Sequence, residues 1–165
     1  MGLRYYKNTK EPITIVGFSD SDFASHSDRK SISGFCFQLQ LESSLITWKS
    51  QKQRTVALSS CEAEYVALTH AIQEGKFLLM LLNEMLPSNS VEMKIGVDNQ
   101  SALMLAKNPI CHQRSKHIDV KYHFIRDEVM NGIVSLSYVP SFENRADVFT
   151  KPVSYQKLKD YSSIC

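Results

Sequence analysis

The chain has 165 residues, which suits one domain of ordinary size and leaves little room for two. Its apolar fraction of 43% supports a sizeable core and argues against a disordered chain. A formal net charge of +2 excludes a strong positive field over the whole surface, so nucleic-acid binding would need a local basic patch.

The first part of the chain is predicted to form three strands joined by short connections. Residues 13–19 are β-branched and apolar between Pro12 and Asp20, and residues 33–39 and 44–48 are predicted to form two more strands, separated by the polar residues 40–43. Strands that follow one another this closely indicate an antiparallel meander.

A long helix is predicted next. Ser59 is a good N-cap, and Glu62, three residues later, completes a capping box. The helical pattern continues to about Met85 and stops before Pro87.

The second part of the chain alternates strands with helices. The predicted elements are a strand at 91–97, helices at 100–107 and 115–130, a strand at 133–139 and a short helix at 144–151. Asn131-Gly132 is a good C-cap pair for the helix at 115–130. The tail, residues 154–165, has the pattern of one more weak helix. This order predicts an α/β fold with a mixed sheet and helices on its faces.

Four acidic residues stand where chemistry could use them. Asp20 and Asp98 each follow a predicted strand, and carboxyl ends of neighbouring parallel strands share one edge of a sheet. Glu64 heads the apolar stripe of the long helix, where a charge is costly unless it is paired or bound to metal. Asp147 lies at a helix start. For all four, an ordinary turn, cap or helix-dipole role stays open.

Cysteine, histidine and membrane signals are weak. The cysteines are scattered, which favours a reducing compartment, and the Cys111, His112, His117 and His123 spacing fits no standard zinc site. The longest apolar run, near residues 77–82, is too short for a bilayer, and no targeting segment is visible, so no membrane partner is expected.

A basic stretch between residues 107 and 126 could grip phosphates. His117 and Lys121 are one helical turn apart and share a face. An ordinary solvated helix face is the open alternative. Trp48 is predicted to lie in the core or at a sheet edge, and residues 49–54 are predicted to form a polar loop that either touches a DNA strand or is merely solvated.

An ordered series of motifs resembles the ribonuclease H domains of copia-type retrotransposons, over about residues 3 to 155. The matching stretches are 17–24 (GFSDSDFA), 28–35 (DRKSISGF), 48–53 (WKSQKQ), 57–65 (ALSSCEAEY), 98–102 (DNQSA), 116–119 (KHID), 123–126 (HFIR), 138–140 (YVP), 146–147 (AD) and 150–152 (TKP). Each motif alone is weak, but the ordered set is specific.

The resemblance implies the ribonuclease H fold, with a five-stranded mixed sheet in the order 3-2-1-4-5. It implies that Asp20, Glu64, Asp98 and Asp147 are catalytic residues and ligands of two Mg²⁺ ions, for which Mn²⁺ could substitute. Hard oxygen ligands suit Mg²⁺, and two such ions can activate water and stabilise the leaving oxygen of a phosphodiester. The implied substrate is the RNA strand of an RNA–DNA hybrid.

The resemblance also sets expectations for the surroundings of this site. Residues 1–12 would connect to the reverse transcriptase region of the same polyprotein, 13–153 would form the ribonuclease H domain, and 154–165 a C-terminal tail. The implied location is a cytoplasmic retrotransposon particle or the nucleus. The residues expected to bind substrate are Ser21, Asn99, Gln100, Arg114, Lys116, His117 and Lys121. For Ser21, Asn99 and Gln100, turn and cap bonding is the alternative.

One departure from the wider family concerns a loop. Cellular ribonucleases H carry a histidine before the last aspartate, whereas this chain has none between Tyr138 and Asp147. Glu143 or Ser141 is the candidate substitute. Two alternative functions stay open at this point: an inactive or domesticated copy that binds nucleic acid or a protein, and another nuclease of this fold, such as a resolvase or integrase-like enzyme.

Overall fold

The computed structural model describes residues 12–40, 44–107 and 116–164; for residues 116–119, 160 and 162–164 it describes the backbone alone. Its strands are β1 (Ile13–Asp22), β2 (Ile32–Leu39), β3 (Leu45–Lys52), β4 (Val91–Val97) and β5 (Ser135–Tyr138). Its helices are α1 (Ser60–Met85), α2 (Gln100–Lys107), α3 (Lys116–Met130) and α4 (Tyr155–Ile164), with a short 3-10 helix at Asp147–Phe149.

The five strands form one mixed sheet in the order β3-β2-β1-β4-β5, which confirms the predicted topology. The meander β1-β2-β3 is antiparallel, and β4 and β5 continue the sheet parallel to β1. Ser19 lies opposite Val97 in the parallel β1–β4 pair. The carboxyl ends of β1 and β4 therefore meet at one edge of the sheet, as the sequence predicts.

The main core lies between the sheet and α1, with α2 and α3 packed beside α1. Ile15 and Ile95 are fully buried on the two central strands, and Leu68 and Ile72 are fully buried on α1. Burial of such side chains stabilises the fold by roughly 1.5–3 kcal/mol each. This packing fixes how far α1 lies above the edge where β1 and β4 end.

The ends of the long helices follow their local sequence. The Ser59 hydroxyl accepts a hydrogen bond from Glu62 N (3.1 Å), as a capping box requires. The Glu62 carboxylate reaches back to Leu58 N (2.8 Å), one residue earlier than the standard motif predicts. After α3, Gly132 has φ +70 and its N–H donates to Val129 O (3.1 Å), so the predicted glycine C-cap is confirmed.

Several predicted boundaries were wrong. β1 continues to Asp22 through its pairing with β2, so Asp20 lies inside a strand and not after it. β3 continues to Lys52, so Lys49 and Lys52 belong to a strand and not to a loop. Polar residues can extend both strands because a neighbouring strand supplies the backbone hydrogen bonds.

One open alternative is decided, and two further predictions need correction. Trp48 is 57% exposed on the edge strand β3, so of its two predicted positions it occupies the sheet edge. Gln53 is buried, because its amide donates to Ser33 Oγ and Ala63 O (both 2.9 Å). The helix predicted at 144–151 is only the 3-10 helix Asp147–Phe149.

Among the helices in the described ranges, none combines the length and apolar character needed to cross a membrane.

Gly17 offers a test of the packing under α1. A Cβ added at this position would overlap the ring of Phe37, its fully buried partner on β2. We expect Gly17→Ala to lower the free energy of unfolding by about 1–3 kcal/mol in denaturant titrations, because overpacking forces a buried ring to move. Adding Phe37→Leu should recover part of that loss. Equal stability of Gly17→Ala and an exposed control, Ser137→Ala, would show that the ring does not restrict this position.

Candidate active site

Three carboxylates from distant parts of the chain meet at the edge where β1 and β4 end. Asp20 comes from β1, Glu64 from the first turns of α1, and Asp98 follows β4 directly. One carboxylate oxygen from each lies within 4.8 Å of the other two. Asp20 and Glu64 are buried and Asp98 is half-buried, so Asp98 is the member of the group most accessible to solvent.

Ser21 fixes the orientation of Glu64. Its backbone N–H (3.1 Å) and its hydroxyl (2.8 Å) both donate to Glu64 Oε1. The other oxygen, Oε2, is buried and has no hydrogen-bond partner among the described residues. A buried carboxylate oxygen without a donor is costly, so this atom is the part of the site that most needs a ligand.

The site opposes the ionisation of its own acids. Burial, reinforced by the charge of Asp20, raises the pKa of Glu64 to about 8. Burial also raises the pKa of Asp20 to about 6, because it outweighs the hydrogen bond from Thr150 and is reinforced by the charges of Asp98 and Asp147. Clustered acids repel one another in this way unless a cation lies between them.

The residues present fit a divalent cation. All three groups offer hard oxygen ligands, which Mg²⁺ and Mn²⁺ prefer. A cation bound there would satisfy Glu64 Oε2 and offset the repulsion that raises the two pKa values. Asp20, Glu64 and Asp98 are therefore the candidate ligands.

Asp147 does not share this cluster. Its carboxylate is buried and forms ion pairs with Lys151 and with Lys157, which lies on α4. Burial opposes its ionisation, but the hydrogen bonds from both lysines prevail and hold the pKa of Asp147 below its ordinary value. The structure thus places the fourth predicted acid near Asp20, whose pKa its charge raises, but with its oxygens held by two cations.

Two residues for which the sequence pattern predicted no role hold this part of the site together. The Thr150 hydroxyl donates to Asp20 Oδ2, which links the 3-10 helix to β1. The side chain of Asn144, fully buried, donates to Ser19 O (2.9 Å) and accepts from Ala146 N (3.1 Å). Their signal in the sequence was position alone: both flank Asp147 closely, and Thr150 belongs to one of the matching motifs.

The residues predicted to bind substrate differ in their hydrogen bonds and in their exposure. Ser21 holds Glu64, and Asn99 accepts from Ala102 N (3.0 Å) as the N-cap of α2, so each has the local role that the sequence left open. Gln100 is exposed at the start of α2, and Lys121 is half-buried on α3. Lys116 and His117 lie on α3 with only their backbone described, and Arg114, like Cys111 and His112, lies outside the described residues.

The loop that lacks the histidine lies on the surface. Ser141, Phe142 and Glu143 form an exposed turn, which Asn144 anchors to the end of β1. Glu143 and Ser141 are thus accessible on the loop that leads to Asp147, and their role in proton transfer stays a prediction.

Solved structures of low sequence identity share this fold. The N-terminal ribonuclease H domain of rv2228c from Mycobacterium tuberculosis has a TM-score of 0.60 at 13% identity, covering 92% of this chain and 98% of that one. LC11-RNase H1 in complex with an RNA/DNA hybrid has a TM-score of 0.59 at 16% identity, covering 82% and 93%. The fold and the acidic cluster together define a domain of the ribonuclease H fold.

Curated relatives are similar to this chain over a small part of their own length, and no protein-family model matches the chain. The retrovirus-related Pol polyprotein from transposon TNT 1-94 of Nicotiana tabacum is 38% identical over 167 residues, covering 95% of this chain and 12% of the relative. That from transposon RE2 of Arabidopsis thaliana is 34% identical, covering 91% and 10%. The chain is a homologue of a segment, about a tenth in length, of the Pol polyproteins of plant copia-type transposons.

Glu64→Gln tests the electrostatics of the cluster. Folding raises the pKa of Glu64 from 4.5 to about 8, so the stability it contributes is present below pH 4.5 and lost as pH rises through 8. In denaturant titrations of the metal-free chain, Glu64 should lower the stability by up to about 1.4 kcal/mol per pH unit in this window, in addition to the fall that Asp20 causes below pH 6. In Glu64→Gln the free energy of unfolding should fall less with pH, because only the contribution of Asp20, between pH 3.8 and 6, remains.

The same titrations repeated with Mg²⁺ complete the test. Mg²⁺ should stabilise the unaltered chain at pH 8 and stabilise Glu64→Gln much less, because a ligand oxygen has been replaced. Glu143→Gln, which neutralises an exposed acid, should behave as the unaltered chain does. An identical pH slope in Glu64→Gln and Glu143→Gln would contradict the assignment.

Proposed function

We propose that this domain is a metal-dependent endonuclease that cuts the RNA strand of RNA–DNA hybrids during retrotransposon reverse transcription. The observation that carries the proposal is the cluster of Asp20, Glu64 and Asp98, with oxygens within 4.8 Å of one another and Glu64 Oε2 unpartnered among the described residues. Such a cluster at the ends of the central strands has no evident structural purpose, because it costs free energy without a cation.

The residues that would hold the metal follow from the donor set. Asp20, Glu64 and Asp98 would hold a Mg²⁺ or Mn²⁺ ion, and Asp147 would complete a second site with Asp20. When bound, two such ions activate a water molecule and stabilise the leaving oxygen of a phosphodiester. The expected products carry a 5′-phosphate on one side of the cut and a 3′-hydroxyl on the other.

The chain's own residues support this chemistry by orientation and charge. Ser21 donates to Oε1 of Glu64 and leaves Oε2 without a hydrogen-bond partner among the described residues, and Thr150 holds one oxygen of Asp20. Lys151 and Lys157 place two positive charges beside Asp147, where a backbone phosphate would carry negative charge. These lysines would therefore exchange a carboxylate partner for a phosphate partner when substrate arrives.

Hybrid rather than duplex DNA is proposed as the substrate on two grounds. The ordered motifs resemble copia-type ribonuclease H domains, and a neighbour of the same fold was solved with an RNA/DNA hybrid. Recognition would rest on hybrid shape and the RNA 2′-hydroxyl. The reverse transcriptase region of the same polyprotein is the proposed partner, since the relatives are Pol polyproteins.

Cleavage of an end-labelled RNA–DNA hybrid in Mg²⁺ tests this function, with duplex RNA and duplex DNA of the same sequence alongside. We expect cutting of the RNA strand of the hybrid alone, and a loss of at least about a hundredfold in Asp98→Asn, because one metal ligand loses its charge. The control Asp127→Asn, on the exposed end of α3, should cut normally.

Two other outcomes would each support a different alternative. A folded chain that binds the hybrid but cuts nothing in Mg²⁺ or Mn²⁺ would identify an inactive copy. Cutting of duplex DNA in preference to the hybrid would point to an integrase- or resolvase-like nuclease of the same fold.

Lys157→Met tests whether the lysine from α4 competes with metal for Asp147. Removing the ion pair should lower the Mg²⁺ concentration that gives half-maximal cleavage by up to about fivefold, since an ion pair screened by solvent on its lysine side is worth up to ~1 kcal/mol. The matched control is Lys94→Met, whose partner Glu92 lies at the opposite end of the sheet. An unchanged Mg²⁺ dependence in Lys157→Met would show that this contact does not restrain Asp147.

A further inference from the structure

A group of basic side chains surrounds the outer face of α1, away from the acidic cluster. It consists of Lys49 on β3, Arg54 in the following loop, His70 on α1 and Lys121 on α3, and is called here the basic cluster. Lys49 and Arg54 are exposed, whereas His70 and Lys121 are half-buried. Four residues from four segments of the chain converge without forming a continuous sequence motif.

The register of β3 explains why Lys49 lies beside α1. Lys49 pairs with Phe35, whose ring is buried in the core beneath α1, and paired residues point to the same face of a sheet. Thr47, two residues away on that face, donates to Glu74 Oε1 of α1 (2.9 Å). Two residues of strand span roughly one helical turn, so Lys49 is level with His70, one turn before Glu74.

The opposite side of α1 brings in Lys121. The ring of its neighbour Tyr122 lies 4.2 Å from that of Tyr65, between ring centroids, which packs this part of α3 against the first half of α1. Lys121 is thereby brought close enough for its charge to act on His70. Burial is the main reason that the pKa of the His70 imidazole is lowered, and the charges of Lys121, Lys49 and Arg54 lower it further.

No acid in the described residues neutralises the basic cluster. Five other lysines of the described ranges form ion pairs: Lys52 with Asp28, Lys76 with Glu128, Lys94 with Glu92, and Lys151 and Lys157 with Asp147. Lys49, Arg54 and Lys121 have no such partner there. The nearest acid along α1, Glu74, is held by Thr47, and the buried His70 Nδ1 has no hydrogen-bond partner among the described residues. Cations gathered without acids indicate a site for an external anion.

We propose that the basic cluster binds backbone phosphates of the nucleic acid whose RNA strand is cut at the acidic cluster. His70 lies six residues after Glu64, which is about 9 Å along α1 and roughly 240° around it. The two sites therefore occupy different faces of one helix, and a duplex held at both would lie across the first half of α1. This inference rests on the proposed function for the choice of ligand, but its test does not depend on cleavage.

Binding is measured by fluorescence anisotropy of a labelled RNA–DNA hybrid in EDTA, with duplex DNA of equal length, over a series of salt concentrations. The variant Lys49→Gln/Arg54→Gln removes two exposed cations whose loss should leave the fold intact, which circular dichroism checks. Lys94→Gln is the matched control, and Lys49→Arg/Arg54→Lys keeps both charges.

We expect the Gln double variant to bind about tenfold more weakly at low salt and to lower the slope of log affinity against log salt by about two, because each phosphate contact releases one counterion. Both duplexes should be affected alike, since a phosphate contact does not read sequence. The charge-keeping variant and Lys94→Gln should retain the affinity and slope of the unaltered chain.

An affinity and slope in the Gln double variant equal to those of Lys94→Gln would overturn the proposal, as would a failure of the unaltered chain to bind either duplex. If the hybrid binds with the expected salt dependence but is never cut in Mg²⁺, the basic cluster stands and the nuclease proposal fails. If the hybrid is cut in Mg²⁺ but the Gln double variant binds normally, the nuclease proposal stands and the proposed role of the basic cluster fails.

Discussion

The parallel pairing of β1 with β4 is the constraint on which the rest of this structure depends. It sets Ser19 opposite Val97, and so brings Asp20 and Asp98, 78 positions apart in the chain, to one edge of the sheet. α1 packs across both strands through Leu68 and Ile72 and supplies Glu64 from above. The acidic cluster is therefore a property of the sheet order, and a sheet with β4 elsewhere would not form it.

The cluster is stabilised by its neighbours and destabilised by its own charge. Ser21 and Thr150 donate to Glu64 and Asp20, yet burial still holds both pKa values above their ordinary range. Groups kept in this condition are typical of sites that bind a ligand, because the fold alone gains nothing from them. Asp147 differs from Glu64 and Asp20, because two lysines of the chain itself supply the positive charge beside its carboxylate.

α1 connects the two sites that the domain is proposed to use. Its first turns carry Glu64 towards the sheet edge, and its outer face carries His70 between β3 and α3. Because one rigid helix holds both, their spacing does not depend on loops. In the C-terminal helix α4, Tyr155 is 79% exposed, and Lys157 forms an ion pair with Asp147.

The sequence by itself determined the order of the elements and the type of all except the helix predicted at 144–151, the cap of α1 at Ser59, the Gly132 stop of α3, and the acids near the carboxyl ends of β1 and β4. Each of these follows from local chemistry: side-chain periodicity, caps and turns. Only the tertiary structure decided how far β1 and β3 extend, because neighbouring strands rather than local propensity complete their hydrogen bonds. It also decided that Asp147 pairs with lysines and that Lys49, Arg54, His70 and Lys121 converge. Contacts between residues distant in the chain leave no periodic signal, so no reading of one segment at a time could have found them.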